Sequence, residues 1–103
     1  SDFAVANYCT DKALMEQRAL HETLNRLLWR YSMQHGGEKI AWNAYSTTNC
    51  KIIYCHSCED FIIDGNDDHE HIGAVYFNGQ KTARAAIEEV VKPFMERHPE
   101  FKW

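Results

Sequence analysis

The sequence predicts a small α+β domain in the order α-β-β-β-β-α, with an antiparallel sheet packed by two helices. Apolar residues recur at helical spacing near both ends of the chain. Between those ends the periodicity changes to two, in short stretches joined by hairpin-length connections. The chain has 103 residues, enough for one hydrophobic core and short for two. Residues 1–103 therefore read as a single domain.

The first helix runs from about Asp11 to Gln34. Leu20, Leu24, Leu27, Leu28 and Tyr31 form one stripe on it. Thr10 is the candidate N-cap, Asp11 suits the positive end of the helix dipole, and Gly36 and Gly37 close it. Ile40, Trp42 and Ala44 then alternate with Ala41, Asn43 and Tyr45, which reads as a first strand. "STTN" supplies a turn, "CKIIYC" a second strand and "DFIID" a third. After the polar loop "DGNDDHEH", "IGAVYF" reads as a fourth. Ala83, Ala86, Ile87, Val90, Val91 and Phe94 trace the buried stripe of a last helix, from near Gly79 to about His98. Pro93 lies inside that stripe and lacks a backbone donor, which predicts a kink or break; Pro99 ends the element.

Chemistry concentrates in "YCHSCEDF". Cys55 and Cys58 sit at the expected tip of the hairpin, where two sulfurs can reach one zinc ion. His69 and His71, two apart, would share a face of an extended strand. Cys55, Cys58, His69 and His71 thus make a candidate closed Cys2His2 zinc site, a knuckle stapling the hairpin end. The same cysteines also suit the role of small, partly buried hydrophobes. A thioredoxin-type redox pair needs its first Cys at a helix N-terminus, and here a strand follows. Cys50, an odd number of residues before Cys55, belongs on the opposite face and reads as core. His21, His35, His56 and His98 read as solvated. Trp29 and Trp42 read as core anchors.

Asp68-His69-Glu70-His71 after a CxxC resembles the Asp-His-Asp-His stretch of recombination endonuclease VII-like HNH nucleases. The resemblance covers about Cys55 to Asn78. It implies a zinc-held hairpin presenting a His general base, and carboxylates holding a divalent metal for phosphodiester cleavage. The second CxxC of that family is missing, and Asn78 is a poor substitute for its metal-binding Asn. A third reading makes the chain a single-stranded nucleic-acid-binding module, with bases stacking on the aromatic sheet residues Tyr45, Tyr54, Tyr76 and Phe77.

The formal charge of −4 disfavours broad binding to nucleic acid or anionic membranes, both of which need a basic surface. No apolar run reaches membrane-spanning length, and "SDFAVANY" lacks the layout of a secretion signal. The four cysteines do not form a dense disulfide framework, so the expectation is a cytoplasmic protein with reduced thiols. The leading expectation for function is a non-catalytic protein-interaction or regulatory domain. Phage-type or accessory inhibitors of larger machines are often chains of this kind. The candidate surface is the acidic loop Asp64 to His71, and the expected partner is a protein.

Overall fold

The computed structural model describes residues 11–42, 49–65 and 69–103. Helix α1 spans Asp11–Gln34, matching the apolar stripe; Thr10 lies outside the described residues. Leu24 is buried, and Leu20, Leu27 and Leu28 pack beside it. Trp29 departs from expectation and is 55% exposed. It is one residue on from Leu28, about 100° around the helix, and so falls off the stripe. Gly36 follows at φ 90°, the left-handed conformation that closes a helix and that glycine adopts without a Cβ clash. A 3₁₀ turn spans Gly37–Lys39.

The expected first strand does not form over Ile40–Trp42, and Asn43–Tyr45 lie outside the described residues. Ile40 is extended, and its N–H bonds back to Gly37 O at 3.4 Å. Trp42 meets Tyr76 edge to face, with ring centroids 4.8 Å apart. The alternation of Ile40 and Trp42 thus comes from an extended segment laying alternate side chains inward.

Strands β1 (Asn49–Cys55) and β2 (Asp60–Gly65) form the expected hairpin, paired from Cys50↔Gly65 to Cys55↔Asp60. The expected fourth strand shrinks to β3, Phe77–Asn78, antiparallel to the other side of β1. The sheet order is β2-β1-β3. "IGAVYF" fails as a full strand for two local reasons. Gly73 takes φ 82° in a turn closed by Ala74 N–H on His71 O at 3.2 Å. The Tyr76 carbonyl, in turn, accepts the Ser32 hydroxyl of α1. Ile72 is left fully exposed.

The C-terminal helical segment runs through α2 (Gln80–Ala86), a π-turn (Ile87–Val91) and α3 (Lys92–Arg97). Pro93 cannot donate to the carbonyl four residues back. The ladder is rephased just ahead of it, and Lys92 N–H bonds Ile87 O five residues back. The expected kink is therefore realised as a π-turn. His98, restricted by the following Pro99, leaves the helical region at φ −129°.

Strand alternation gives the sheet two unlike faces. Cys50, Ile52 and Ile63 pack inward with Phe77, Ala83, Ala86, Leu28 and Tyr31. A second cluster joins Leu24, Val91, Phe94 and Phe101. The fold is thus α+β, with both helical segments against one face of an antiparallel sheet. No helix among the described residues is long and apolar enough to cross a membrane.

Candidate functional site

The hairpin end gathers the unusual side chains. A four-residue loop, His56–Glu59, joins Cys55 to its cross-strand partner Asp60. Cys55 and Cys58 are disulfide-bonded, with Cα atoms 5.4 Å apart. The Cys58 N–H donates to Cys55 Sγ at 3.3 Å, and the Ser57 hydroxyl lies 3.4 Å from the same sulfur. Glu59 completes the turn at φ 54°, a left-handed conformation that costs a residue with a Cβ roughly 1–2 kcal/mol. Glu59→Gly is therefore expected to stabilise the fold by about 0.5–1 kcal/mol once the extra freedom of glycine in the unfolded chain is subtracted. A thermal melt would register that as a rise of about 2–8 °C; a fall would mean the Glu59 side chain holds the turn.

Aromatic rings hold the inner side of this hairpin. Tyr54 and Phe61 are cross-strand partners with ring centroids 5.4 Å apart. Trp103 stacks on Tyr54 at 5.0 Å, nearly parallel, and meets Phe61 edge-on. The tail carrying Trp103 is tied to α1. Gln17 donates to Glu100 O at 2.7 Å and accepts from Lys102 N–H at 3.0 Å, while His21 Nε2 lies 2.6 Å from Lys102 O. His21, His35 and His98 each lie against an aromatic ring, Phe101, Tyr31 and Phe94 respectively. Their sequence positions alone implied only solvation.

The outer face carries Lys51, Ile53 and Cys55 on β1 opposite Asp64, Ile62 and Asp60 on β2. Ile53 and Ile62 are direct partners and both are exposed, Ile62 at 46%. On the far side of β2 no strand pairs with it among the described residues, so β2 is an edge strand of the sheet they form.

The four candidate zinc ligands are not brought together. Cys55 and Cys58 hold each other. The Lys51 ammonium lies 3.0 Å from His71 Nδ1, within hydrogen-bond distance. Lys51 is four residues from Cys55, about 13 Å along an extended strand. His69 is exposed. Among the described residues no group of three or more His, Cys, Asp or Glu is arranged to hold a metal ion. A tetrahedral site needs four converging donors with both thiols deprotonated.

Asp68 lies outside the described residues, and Asn78 donates to Gly36 O at 3.0 Å, tying β3 to the end of α1. The aromatics of the nucleic-acid reading turn inward: Tyr76 and Phe77 are buried, and Tyr54 and Phe61 lie under Trp103. Tyr45 is outside the described residues. Cys50 is 1% exposed, and burial pushes its thiol pKa up from the ordinary value of 9.0. Its S–H points to Phe77 O at 3.6 Å.

A cleft of about 230 Å³ between α1 and the π-turn is lined by Arg30, Tyr31, Gln34, Glu89 and Arg97 over Leu27 and Val90. Desolvation, with the Glu89 carboxylate beside it, pushes the Tyr31 hydroxyl pKa up from its ordinary value of 10.0. No family model, no curated protein and no solved structure matches this chain, so the site rests on its own geometry.

Proposed function

We propose that the protein is a non-catalytic, regulatory protein-binding domain whose partner adds an extended strand to the free edge of β2. The observation that carries this is the exposed outer face of that strand, where Ile62 is flanked by Asp60 and Asp64. An unpaired edge is a template for another chain, with main-chain bonds supplying affinity and alternate side chains supplying selectivity. A second copy of the same strand is a poor occupant. Antiparallel self-pairing centred on Ile62 sets Asp60 against Asp64, and like charges directly opposite destabilise a pair. The complementary partner presents an apolar residue with Lys or Arg two positions to either side. Such an interaction accommodates the acidic balance of the chain. It does not depend on zinc, and it moves the contact surface from the Asp64–His71 loop to the strand that leads into it.

The test is a titration with an extended Lys-Thr-Val-Thr-Lys peptide, followed by backbone amide shifts. Shifts confined to β2 and the hairpin, with affinity reduced up to about fivefold by Ile62→Glu, are expected. Ile62 is an exposed position, so the variant keeps its fold. Shifts mapping elsewhere, or binding indifferent to Ile62→Glu, would sink the proposal.

A further inference from the structure

The geometry points to the Cys55–Cys58 disulfide as a site of thiol–disulfide exchange, attacked at Cys58 and opened with Cys55 as the leaving group. The substrate class is a small neutral or cationic thiol. This inference is independent of the strand-binding reading, because it concerns the hairpin tip and needs no partner chain.

The two sulfurs are not equivalent. Cys58 is exposed, whereas Cys55 is half-buried at the end of β1. The donors at the tip converge on Cys55 Sγ: the Cys58 N–H at 3.3 Å and the Ser57 Oγ at 3.4 Å. Hydrogen bonds to a sulfur favour its thiolate, and exchange is faster when the departing thiolate is the better stabilised one. Accessibility therefore selects Cys58 for attack, and the donors select Cys55 for departure. A thioredoxin-type pair draws on a helix dipole for this purpose. Here a strand follows, as the sequence predicts, and the turn's own N–H and hydroxyl take that part.

Two further features make the site reversible and separate it from Cys50. The β1–β2 pairing continues up to Cys55↔Asp60, and Trp103 stacks beneath on Tyr54. The backbone that holds the cysteines together therefore does not depend on their bond. Cys50 lies on the inner face, buried with a raised thiol pKa, and cannot compete for either sulfur. The acidic neighbours Glu59 and Asp60 set the substrate preference, since negative charge carried elsewhere on the thiol adds repulsion and positive charge offsets it.

The chemistry balances with two thiols. A thiolate R–S⁻ attacks Cys58 Sγ, an R–S–Cys58 bond forms, the Cys55–Cys58 bond breaks, and the electron pair departs on Cys55. A second R–S⁻ attacks the R sulfur of that mixed disulfide, releasing R–S–S–R and the Cys58 thiolate. The protein gains two electrons, the two thiols lose them, and both cysteine thiolates take protons from water.

The experiment uses the oxidised full chain with cysteamine and, separately, with glutathione, quenched with acid, alkylated and mapped by mass spectrometry. Early quenches are expected to carry the added thiol on Cys58 and the alkyl group on Cys55 at ten to one or better. Cysteamine is expected to react several-fold faster than glutathione at matched thiolate concentration. Adding cystamine is expected to restore the disulfide, with Cys50 unmodified throughout. Ser57→Ala is expected to slow opening about threefold to tenfold while leaving the thermal midpoint of the oxidised protein unchanged. Adducts mainly on Cys55, no exchange over hours, or one zinc ion per chain released on alkylating Cys55 and Cys58 would each overturn the inference.

Discussion

Phe94→Ala is expected to remove about 3–5 kcal/mol of stability, the range for truncating a fully buried aromatic. A domain of this size has only about 5–15 kcal/mol in total, so the variant would sit at or near the edge of folding. Phe94 has no exposed surface and packs in one cluster with Leu24, Val91 and Phe101. Its ring meets Phe101 edge to face at 5.5 Å and has the His98 ring 4.5 Å away. It lies immediately after Pro93, where the π-turn has already fixed the phase of the helix. The surrounding backbone therefore has little freedom to collapse into the vacated volume. Urea titration followed by circular dichroism should give a greatly lowered midpoint for Phe94→Ala and a much smaller change for Phe94→Leu. A loss below about 1.5 kcal/mol for the alanine variant would mean that this cluster is not the core of the fold.

Gly37→Ala is expected to cost about 3 kcal/mol, the upper part of the range for overpacking. Gly37 is buried against the last turn of α1. A Cβ there would run into the Ser32 hydroxyl and would lie 2.7 Å from the Ser32 carbonyl oxygen and 2.8 Å from Met33 Cε. Met33 can move, but the Ser32 carbonyl belongs to the helix backbone. The Ser32 hydroxyl is committed to Tyr76 O, the buried bond that draws the chain before β3 onto α1. A methyl group at 37 therefore disturbs steric fit and a buried hydrogen bond together. Ser32→Ala should cost less by itself, and it removes the nearest obstacle. The double variant is thus expected to be at least 0.5 kcal/mol more stable than the sum of the single losses. Strict additivity would show that the two positions do not meet.

Much of the architecture is legible in residue spacing, and the exceptions have physical causes. The bounds of α1 follow from a long stripe closed by two glycines. The hairpin follows from two β-rich stretches around a short polar turn. Pro93 signals a disturbance, but whether a helix answers with a kink or a π-turn depends on the packing of Val91 and Phe94 against α1. "IGAVYF" has the composition of a strand, yet Gly73 turns the chain and Ser32, more than forty residues earlier, claims the Tyr76 carbonyl. The candidate site was legible as a place rather than as a chemistry. Spacing identified Cys55 and Cys58 at a hairpin tip, but not that His71 would lie beside Lys51 far along the strand. The edge of β2 had no signal of its own, because an edge is defined by what fails to pair with it. Gln17, His21 and Trp103 escaped sequence reasoning because their contacts join opposite ends of the chain.

That last group of contacts has a kinetic consequence. The bonds from Gln17 and His21 to the tail span 81 to 85 residues of sequence, long loop closures for a chain of this length. Such contacts are entropically expensive until the intervening chain is compact, so the tail docks after the hairpin and helices have met. Solvent-exposed hydrogen bonds are also among the first parts of a native structure to open. Fraying there would lift Trp103 from Tyr54 and uncover the aromatic underside of the hairpin while the Leu24–Phe94 core stays closed. The cover of the candidate site is therefore held by exposed bonds and not by the buried core.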